Sequence, residues 1–413
     1  MRLTHIFKAT GLSGAEAHIL TLSAALQAEG FDCNLLVLTD PRHSPEALFN
    51  AAREKAIPFE AVPFTHDLDL SVLPKLVSLL KTNRTQIVHT HMIHGDLYGT
   101  LAAQWAGRVI VQSRHNHDQF RRNPFVKLLL QAASAPAKTV IAISNSLADF
   151  TRDVEGISAQ KIVCIHYGLD PESVTLAARP GALRAELGLA ADTPVIAAVG
   201  RLTEQKGIGY LLEAFARVQK NIPDAQLVVA GDGSQRVALE AQAGNLNRLS
   251  RLERERSPKS YHPVAEQSGP DFGRSQETSD SKPLNQTVHF LGWRTDAYSI
   301  MADCDVLAIP SLWEGFGLVT LEAMALSKPV VASRVGALPE IVVDTVTGLL
   351  VPPADSGALA HALTALLSDP GRARSLGQHG RNRLDKEFSV QSMAHKHIRV
   401  YTEAASRVPE FRA

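Results

Sequence analysis

The chain has 413 residues, more than one ordinary hydrophobic core organises, so two or three structural units are expected. With 45% hydrophobic and 20% charged residues it reads as globular, neither disordered nor fibrous. Lys+Arg and Asp+Glu both number 42, so no basic excess exists to neutralise a phosphate backbone, which argues against a dedicated nucleic-acid binder.

Three cysteines, Cys33, Cys164 and Cys304, lie far apart without CxxC spacing. They suggest neither a disulfide framework nor a zinc site and suit a reducing compartment. The first residues, MRLTHIFKATGLSG, lack a long apolar leader core, and no run approaches 18 apolar residues. The expectation is a soluble, cytoplasmic protein of two domains.

In chain order, 3–9 reads as a buried strand ending in Gly11, Leu12, Ser13 and Gly14. Ala15, Ile19, Leu22 and Leu26 then recur at helical spacing. Further strands are expected at 34–38, 87–90, 109–113 and 139–143, separated by helical segments, which is the pattern of βαβ units in a parallel sheet. The pattern pauses at 168–192, where Gly168, Pro171, Pro180 and Gly181 punctuate a small-residue stretch. It restarts with strands at 194–199, 226–230, 287–291, 305–309 and 329–332. Residues 248–286 carry seven Lys/Arg, six Asp/Glu and only seven hydrophobic residues. Their first part, 248–256, extends the preceding helix, and the rest is expected to be a mobile loop. Residues 388–405 form a modestly amphipathic helix. In open α/β sheets ligands gather at the carboxyl ends of strands, so a cleft between the two halves is the expected site.

Two stretches carry the chemistry. In 313–327, WEGFGLVTLEAMALS, a helix beginning near Gly317 has Glu322 as its single charged residue, and Glu314 lies in the glycine-containing turn before it. A carboxylate on so apolar a helix needs hydrogen-bond donors, from protein or from ligand hydroxyls. In 200–207, GRLTEQKG, Arg201 and Lys206 follow a strand and are placed to converge on an anion above the sheet. Each also has a bland reading: a solvated turn for Glu314, Arg201 and Lys206, a backbone cap for Glu322. The glycine loop ending at Gly14 lets a backbone approach a phosphate or sugar, but GxGxxG is absent. His89 and His91 share a strand face, yet no carboxylate or cysteine set completes a metal site, and none is expected. His115, at a strand's carboxyl end, is the better candidate for a substrate hydroxyl. In 120–130, FRRNPFVKLLL, basic and apolar residues interleave as on a membrane-surface helix; the plainer reading puts Leu128–Leu130 in the core.

Together these pieces resemble the retaining, nucleotide-sugar-dependent glycosyltransferases of family 4, over nearly the whole chain. The E-x7-E element is matched by Glu314 and Glu322 with its EGFGL core, and G-R-L-x-x-x-K-G by Arg201 and Lys206. Ser113–His115, the turn of Ser144, Asn145 and Ser146, and Tyr167–Asp170 match more weakly. The family often has Asn where Tyr167 stands and a double glycine in place of Ser13 and Gly14. The resemblance implies the α/β GT-B fold, two Rossmann-like parallel-sheet domains facing each other across a cleft. Residues 1–175 would bind acceptor, 176–385 the nucleotide-sugar donor, and a helix in 386–413 would cross back. It implies Arg201 and Lys206 on the diphosphate, Glu322 on the ribose, Glu314 and His115 on the donor sugar, and Gly14 bordering the diphosphate. Gly292, Phe316, Gly317 and Leu318 complete the donor-binding set. No metal or other cofactor is implied. The partners would be a nucleotide sugar, UDP favoured and GDP next, and a saccharide or lipid-linked acceptor, with peripheral contact to the inner membrane face and no nucleic acid. An epimerase or hydrolase of the same fold, a non-catalytic nucleotide-sugar binder, and a dehydrogenase using Asp40 are the alternatives.

Overall fold

The computed structural model describes residues 1–42, 44–66, 69–256 and 287–406. Two all-parallel sheets organise it. The first has strands β1 (Arg2–Lys8), β2 (Asp32–Thr39), β3 (Phe59–Pro63), β4 (Ile87–His91), β5 (Val109–Arg114), β6 (Thr139–Ala142) and β7 (Ile162–Cys164), in spatial order 3-2-1-4-5-6-7. The second has β8 (Val195–Val199), β9 (Gln226–Ala230), β10 (Val288–Gly292), β11 (Val306–Ile309), β12 (Val330–Ser333) and β13 (Leu349–Val351), in order 10-9-8-11-12-13. β9 and β11 are buried along their whole length, as strands covered by helices on both faces must be. Both sheets reverse strand order at one point, between β1 and β4 and between β8 and β11, and a crevice opens there at the carboxyl ends.

The helices that bear on the site are α1 (Gly14–Ala28), α2 (Thr100–Trp105), α3 (Pro124–Ser134), α4 (Asn145–Asp153), α5 (Ile208–Asn221), α6 (Arg236–Arg256), α7 (Ala297–Asp303), α8 (Leu318–Ala325), α9 (Leu338–Ile341) and α10 (Val390–Ser406). The chain crosses between domains twice, and the crossings touch: Leu169 N–H donates to Phe388 O at 2.9 Å. Beyond the second crossing, α10 returns to the first domain and buries Met393, Val400 and Tyr401 with Leu3, Leu22 and Val111. The helix expected at 248–256 is present as the end of α6. The expected loop after Arg256 and the tail after Ser406 lie outside the described residues. Among the described residues no helix is long and apolar enough to cross a membrane.

Three strands escaped the sequence reading: β3, β7 and β13, of five, three and three residues. β3 and β7 are edge strands and β13 closes the far end of the second sheet; β3 is interrupted by Glu60, and β7 and β13, though apolar, are only three residues long, too short to mark a strand by pattern. The segment 120–130 divides the two readings given it. Leu130 is buried, whereas Leu128 and Leu129 are exposed, so the core reading holds for one leucine of three.

Arg121 is likewise buried rather than on the surface, because it completes an ion network inside the first domain. Arg114, on β5, donates Nη1 to Asp96 at 2.7 Å and Nε to Glu155 at 2.8 Å, and all three side chains are fully buried. Arg121 takes the other Glu155 oxygen at 2.6 Å. Removing one partner of a buried network leaves an uncompensated charge, a loss of about 3–5 kcal/mol. Arg114→Met is therefore expected to lower the unfolding free energy by an amount in that range, moving the urea midpoint down with little change of slope; a midpoint within error of wild type would show the network to be dispensable.

Candidate active site

The carboxyl ends of β1, β5, β8 and β11 meet around one cavity of about 400 Å³ between the two domains. The first domain contributes Ser13, Gly14, His115, Asn116 and Tyr167, and the second Gly200, Arg201, Lys206 and the run from Trp313 to Val319. Sequence-distant loops thus converge because each follows a strand beside or near its sheet's switch point.

Glu314 is 7% exposed. Its Oε2 accepts from Lys206 Nζ at 2.8 Å and from Ser311 Oγ at 3.1 Å. Lys206 reaches it from the turn after β8, whose residue Gly207 abuts Pro310 in the loop after β11. Arg201, beside Lys206, is exposed and has no ion-pair partner among the described residues. The glycines of the EGFG run have distinct duties. Gly317 caps α8 with φ +89°, a conformation L side chains rarely adopt. Gly315 passes so close to the first domain that an added Cβ would lie 2.7 Å from His115 O. The start of α1 also faces the start of α8 across the cavity, since a Cβ at Gly14 would touch Leu318 Cδ1 at 3.5 Å. Both helices direct unpaired N–H groups and the positive ends of their dipoles inward. Phe316 packs against Tyr167 at 4.9 Å between ring centroids.

Glu322 lies one turn inside α8, outside the lining of this cavity, where the Tyr298 hydroxyl of α7 donates to it. Burial pushes its pKa up to about 7, partly opposed by that hydrogen bond. Gly292 ends β10, next to Trp293, which with Arg201, Gly231 and Asp232 lines a neighbouring cavity of about 210 Å³. Those two cavities adjoin and share Val199, Gly200 and Arg201.

His115 lines the cavity, but its ring nitrogens are occupied. Nδ1 is bonded to the Tyr167 hydroxyl, and Nε2 meets His91 Nδ1 at 3.0 Å, whose Nε2 in turn meets His5 Nδ1 at 2.8 Å. Burial, with Arg121 and Arg114 nearby, lowers the His115 pKa to about 3, so the imidazole is neutral. Sequence reasoning missed three partners. His5, from β1, joins His89 and His91 in one cluster. The ring nitrogens of His89 and His91 are already taken, by Tyr401, Ser113, His5 and His115. Tyr298, beside Glu322, carries no signal of its own because only the fold brings it near, and Ser311, three residues before Glu314, is an ordinary loop serine whose direction the sequence does not set.

Comparison with known proteins agrees with this geometry. Residues 12–173 match the Glycosyltransferase Family 4 model, and residues 181–253 and 268–369 match Glycosyl transferases group 1 models. The alpha-maltose-1-phosphate synthase of Mycolicibacterium smegmatis is 30% identical over 340 residues, 78% of this chain and 79% of that one. The UDP-Gal:alpha-D-GlcNAc-diphosphoundecaprenol alpha-1,3-galactosyltransferase of Escherichia coli is 26% identical over 399 residues, 94% of each. Among solved structures, Anabaena HepE in complex with UDP superposes with TM-score 0.77 at 20% identity, covering 98% of this chain and 100% of that chain. The chain belongs to the family 4 glycosyltransferases and has the GT-B fold. It is an enzyme, a hexosyltransferase.

The raised Glu322 pKa makes a stability prediction. An acid whose folded pKa lies above its unfolded value loses stability as pH rises from the unfolded value, near 4.5, through about 7. Glu322→Gln is therefore expected to melt above wild type at pH 8, with the gap closing toward pH 4.5. Parallel melting curves for the two proteins across that range would refute the buried-carboxylate assignment.

Proposed function

We propose that the enzyme is a retaining glycosyltransferase that moves a hexose or hexosamine from a nucleoside-diphosphate sugar to a saccharide or lipid-linked acceptor in cell-surface polysaccharide or glycolipid synthesis. The observation that carries this reading is the convergence of Arg201, Lys206 and Glu314 with two facing helix N-termini in one two-domain cavity. A UDP-sugar is favoured over a GDP-sugar, since the Escherichia coli relative is named for a UDP-Gal donor and HepE was solved with UDP.

In this reading the diphosphate lies against Arg201 and Lys206, and the ribose hydroxyls replace the Tyr298 hydroxyl as donors to Glu322. As the bond from the sugar to the β-phosphate breaks, negative charge grows on the diphosphate and positive character on the sugar ring. At an effective dielectric near 20, a cation about 4 Å from a phosphate contributes on the order of 4 kcal/mol before desolvation. A helix N-terminus adds about 0.3–1 kcal/mol, so the two side chains dominate. They supply the positive charge that leaving-group departure requires, and the reading needs no metal. The acceptor hydroxyl attacks the face the diphosphate leaves, and its proton passes to the departing phosphate oxygen. Glu314, freed from Lys206 when that cation turns to phosphate, faces the developing positive charge of the sugar. His115 and Tyr167 both line the cavity, with the tyrosine hydroxyl bonded to His115 Nδ1, so the two rings form one neutral polar wall beside the sugar.

UDP is expected to raise the melting temperature of the purified enzyme more than GDP, ADP or NAD at the same millimolar concentration. Ligand binding to the native state stabilises by RT ln(1 + [L]/Kd), about 2.7 kcal/mol at one hundred times Kd. Lys206→Ala should stay folded, although it melts below wild type because Glu314 loses its cation, and should lose most of the UDP shift and most of the transfer activity. A shift with NAD alone, or an unimpaired Lys206→Ala enzyme, would overturn the reading.

Peripheral contact with an anionic membrane surface belongs to the same proposal. Phe125 and Leu128 are 83% and 66% exposed on α3, and Phe120 and Trp105 are exposed nearby in sequence and on the adjoining α2. From 119 to 148 the chain has no acidic residue, and besides the buried Arg121 it includes Arg122, Lys127 and Lys138. Apolar side chains flanked by cations suit the headgroup region of such a bilayer. Replacing Phe125 and Leu128 together by Ser should reduce sedimentation with vesicles containing phosphatidylglycerol and leave melting unchanged; equal partitioning would retire the membrane contact.

A further inference from the structure

Outside the cavity, one carboxylate ties the two domains together. Glu340 lies on α9 of the second domain, 195 residues from its partner Asn145 at the start of α4 in the first. Its Oε2 accepts from Asn145 N at 2.8 Å, Asn145 Nδ2 at 2.9 Å and His166 Nε2 at 2.8 Å, and its Oε1 accepts from Ser146 N at 2.9 Å. Four donors from the first domain thus converge on one side chain of the second. The α4 amides among them are N-terminal N–H groups that lack a partner within their own helix. Partial burial works to raise the Glu340 pKa, but the bonds from His166, Asn145 and Ser146 outweigh it and hold the pKa below the usual value.

The segment that carries Glu340 backs the donor loop. A Cβ at Gly336 would lie 1.9 Å from Glu314 O, so these two backbones are in contact. Leu338, two residues before Glu340, packs against Gly317, the cap of α8. On the other side, Ser144, the residue that caps α4, reaches Gly315 O with its hydroxyl at 3.4 Å, and Ser146 Oγ meets His117 of the cavity wall at 3.1 Å. The residues Glu340 grips and the residue it is built on therefore both adjoin the reacting centre, from opposite domains. His166 directly precedes the first crossing between domains, and its ring packs edge-on at 5.5 Å against Phe388 of the second.

We propose that Glu340 is a positioning residue for sugar transfer. By clasping the N-terminus of α4 it sets the register at which the donor loop, Glu314 to Gly317, closes on His115 and Tyr167. Without the clasp the two crossings still connect the domains, but the closed arrangement loses its charge-assisted bonds and the open one gains population. A ligand that needs both walls of the cavity then binds more weakly in proportion to the closed fraction. The proposal takes from the function reading only that a nucleoside diphosphate enters this cleft.

The test uses the full chain as wild type, Glu340→Ala, Glu340→Gln and Ser146→Pro. The proline deletes one of the four donors from the partner side, in a first helical turn where it is tolerated. Small-angle X-ray scattering without ligand is expected to give a larger radius of gyration for Glu340→Ala than for wild type, with Glu340→Gln and Ser146→Pro between them. Melting temperatures should stay close together. Calorimetric titration with UDP should show affinity for Glu340→Ala down roughly ten- to hundredfold, the effect expected for hydrogen bonds to one charged group. Saturating UDP should return the variant's radius to the wild-type value, which a merely damaged fold would not do. An unchanged radius in all three variants would overturn the proposal. If UDP fails to bind even wild type, the donor reading falls while the scattering of the free proteins still decides the clasp.

Discussion

Lys206 and Glu314 stand on loops that follow neighbouring strands, β8 and β11, and their 2.8 Å contact organises the second-domain side of the cleft. A carboxylate only 7% exposed must be compensated where it sits, and the lysine and Ser311 do so. The backbone around it leaves little freedom. Gly207 lies against Pro310, Gly336 against Glu314 and Gly315 against His115, each so close that a Cβ would collide. The ion pair is therefore held by main chain rather than by flexible side chains, which is the condition for electrostatic preorganisation. In the proposed reaction the incoming diphosphate takes over the lysine, and the carboxylate it releases already faces the sugar.

The wall from the first domain rests on a different device, polar groups buried deep beneath it. Arg114 lies under the loop that carries His115 and is neutralised by Asp96 and Glu155. Two arginines near a buried imidazole make its protonation unfavourable, so His115 stays neutral and its tautomer is dictated by Tyr167 and His91. A neutral ring held at both nitrogens is a fixed part of the wall, not a mobile acid. The Tyr167 phenol fills the space between His115, His18 and Phe316, with its hydroxyl bonded to His115 Nδ1.

What could be read from sequence divides along the distance between partners. Glu314, Gly317 and Glu322 sit within nine residues of one another, and Arg201 and Lys206 within six, so residue type and spacing alone suggested their chemistry. The central strands were visible because burial on both faces leaves a continuous apolar run. The edge strand β3 is broken by Glu60, and β7 is too short for its apolar run to stand out. Contacts made across the fold left no trace: Tyr298 on Glu322, His5 beside His91, Glu155 shared by two arginines, and Glu340 on α4. Arg121 shows why composition misleads at close range. An Arg-Arg pair beside exposed apolar residues looks like a surface patch, yet one of the two points inward to a carboxylate 34 residues away in sequence.

The cleft is also limited in how far it closes. At the reacting centre the two domains meet through backbone, Gly315 against the His115 carbonyl, and through the facing ends of α1 and α8. Backbone contact cannot be shortened by a change of rotamer, so the walls reach a definite stop. Glu340 lies between that stop and the chain crossings at Leu169 and Phe388, where it adds attraction but no bulk. A hinge, a clasp and a stop in line fix one separation of the two walls. Under the proposed function such a fixed separation is what transfer needs, because an acceptor hydroxyl must meet a sugar carbon within bonding reach.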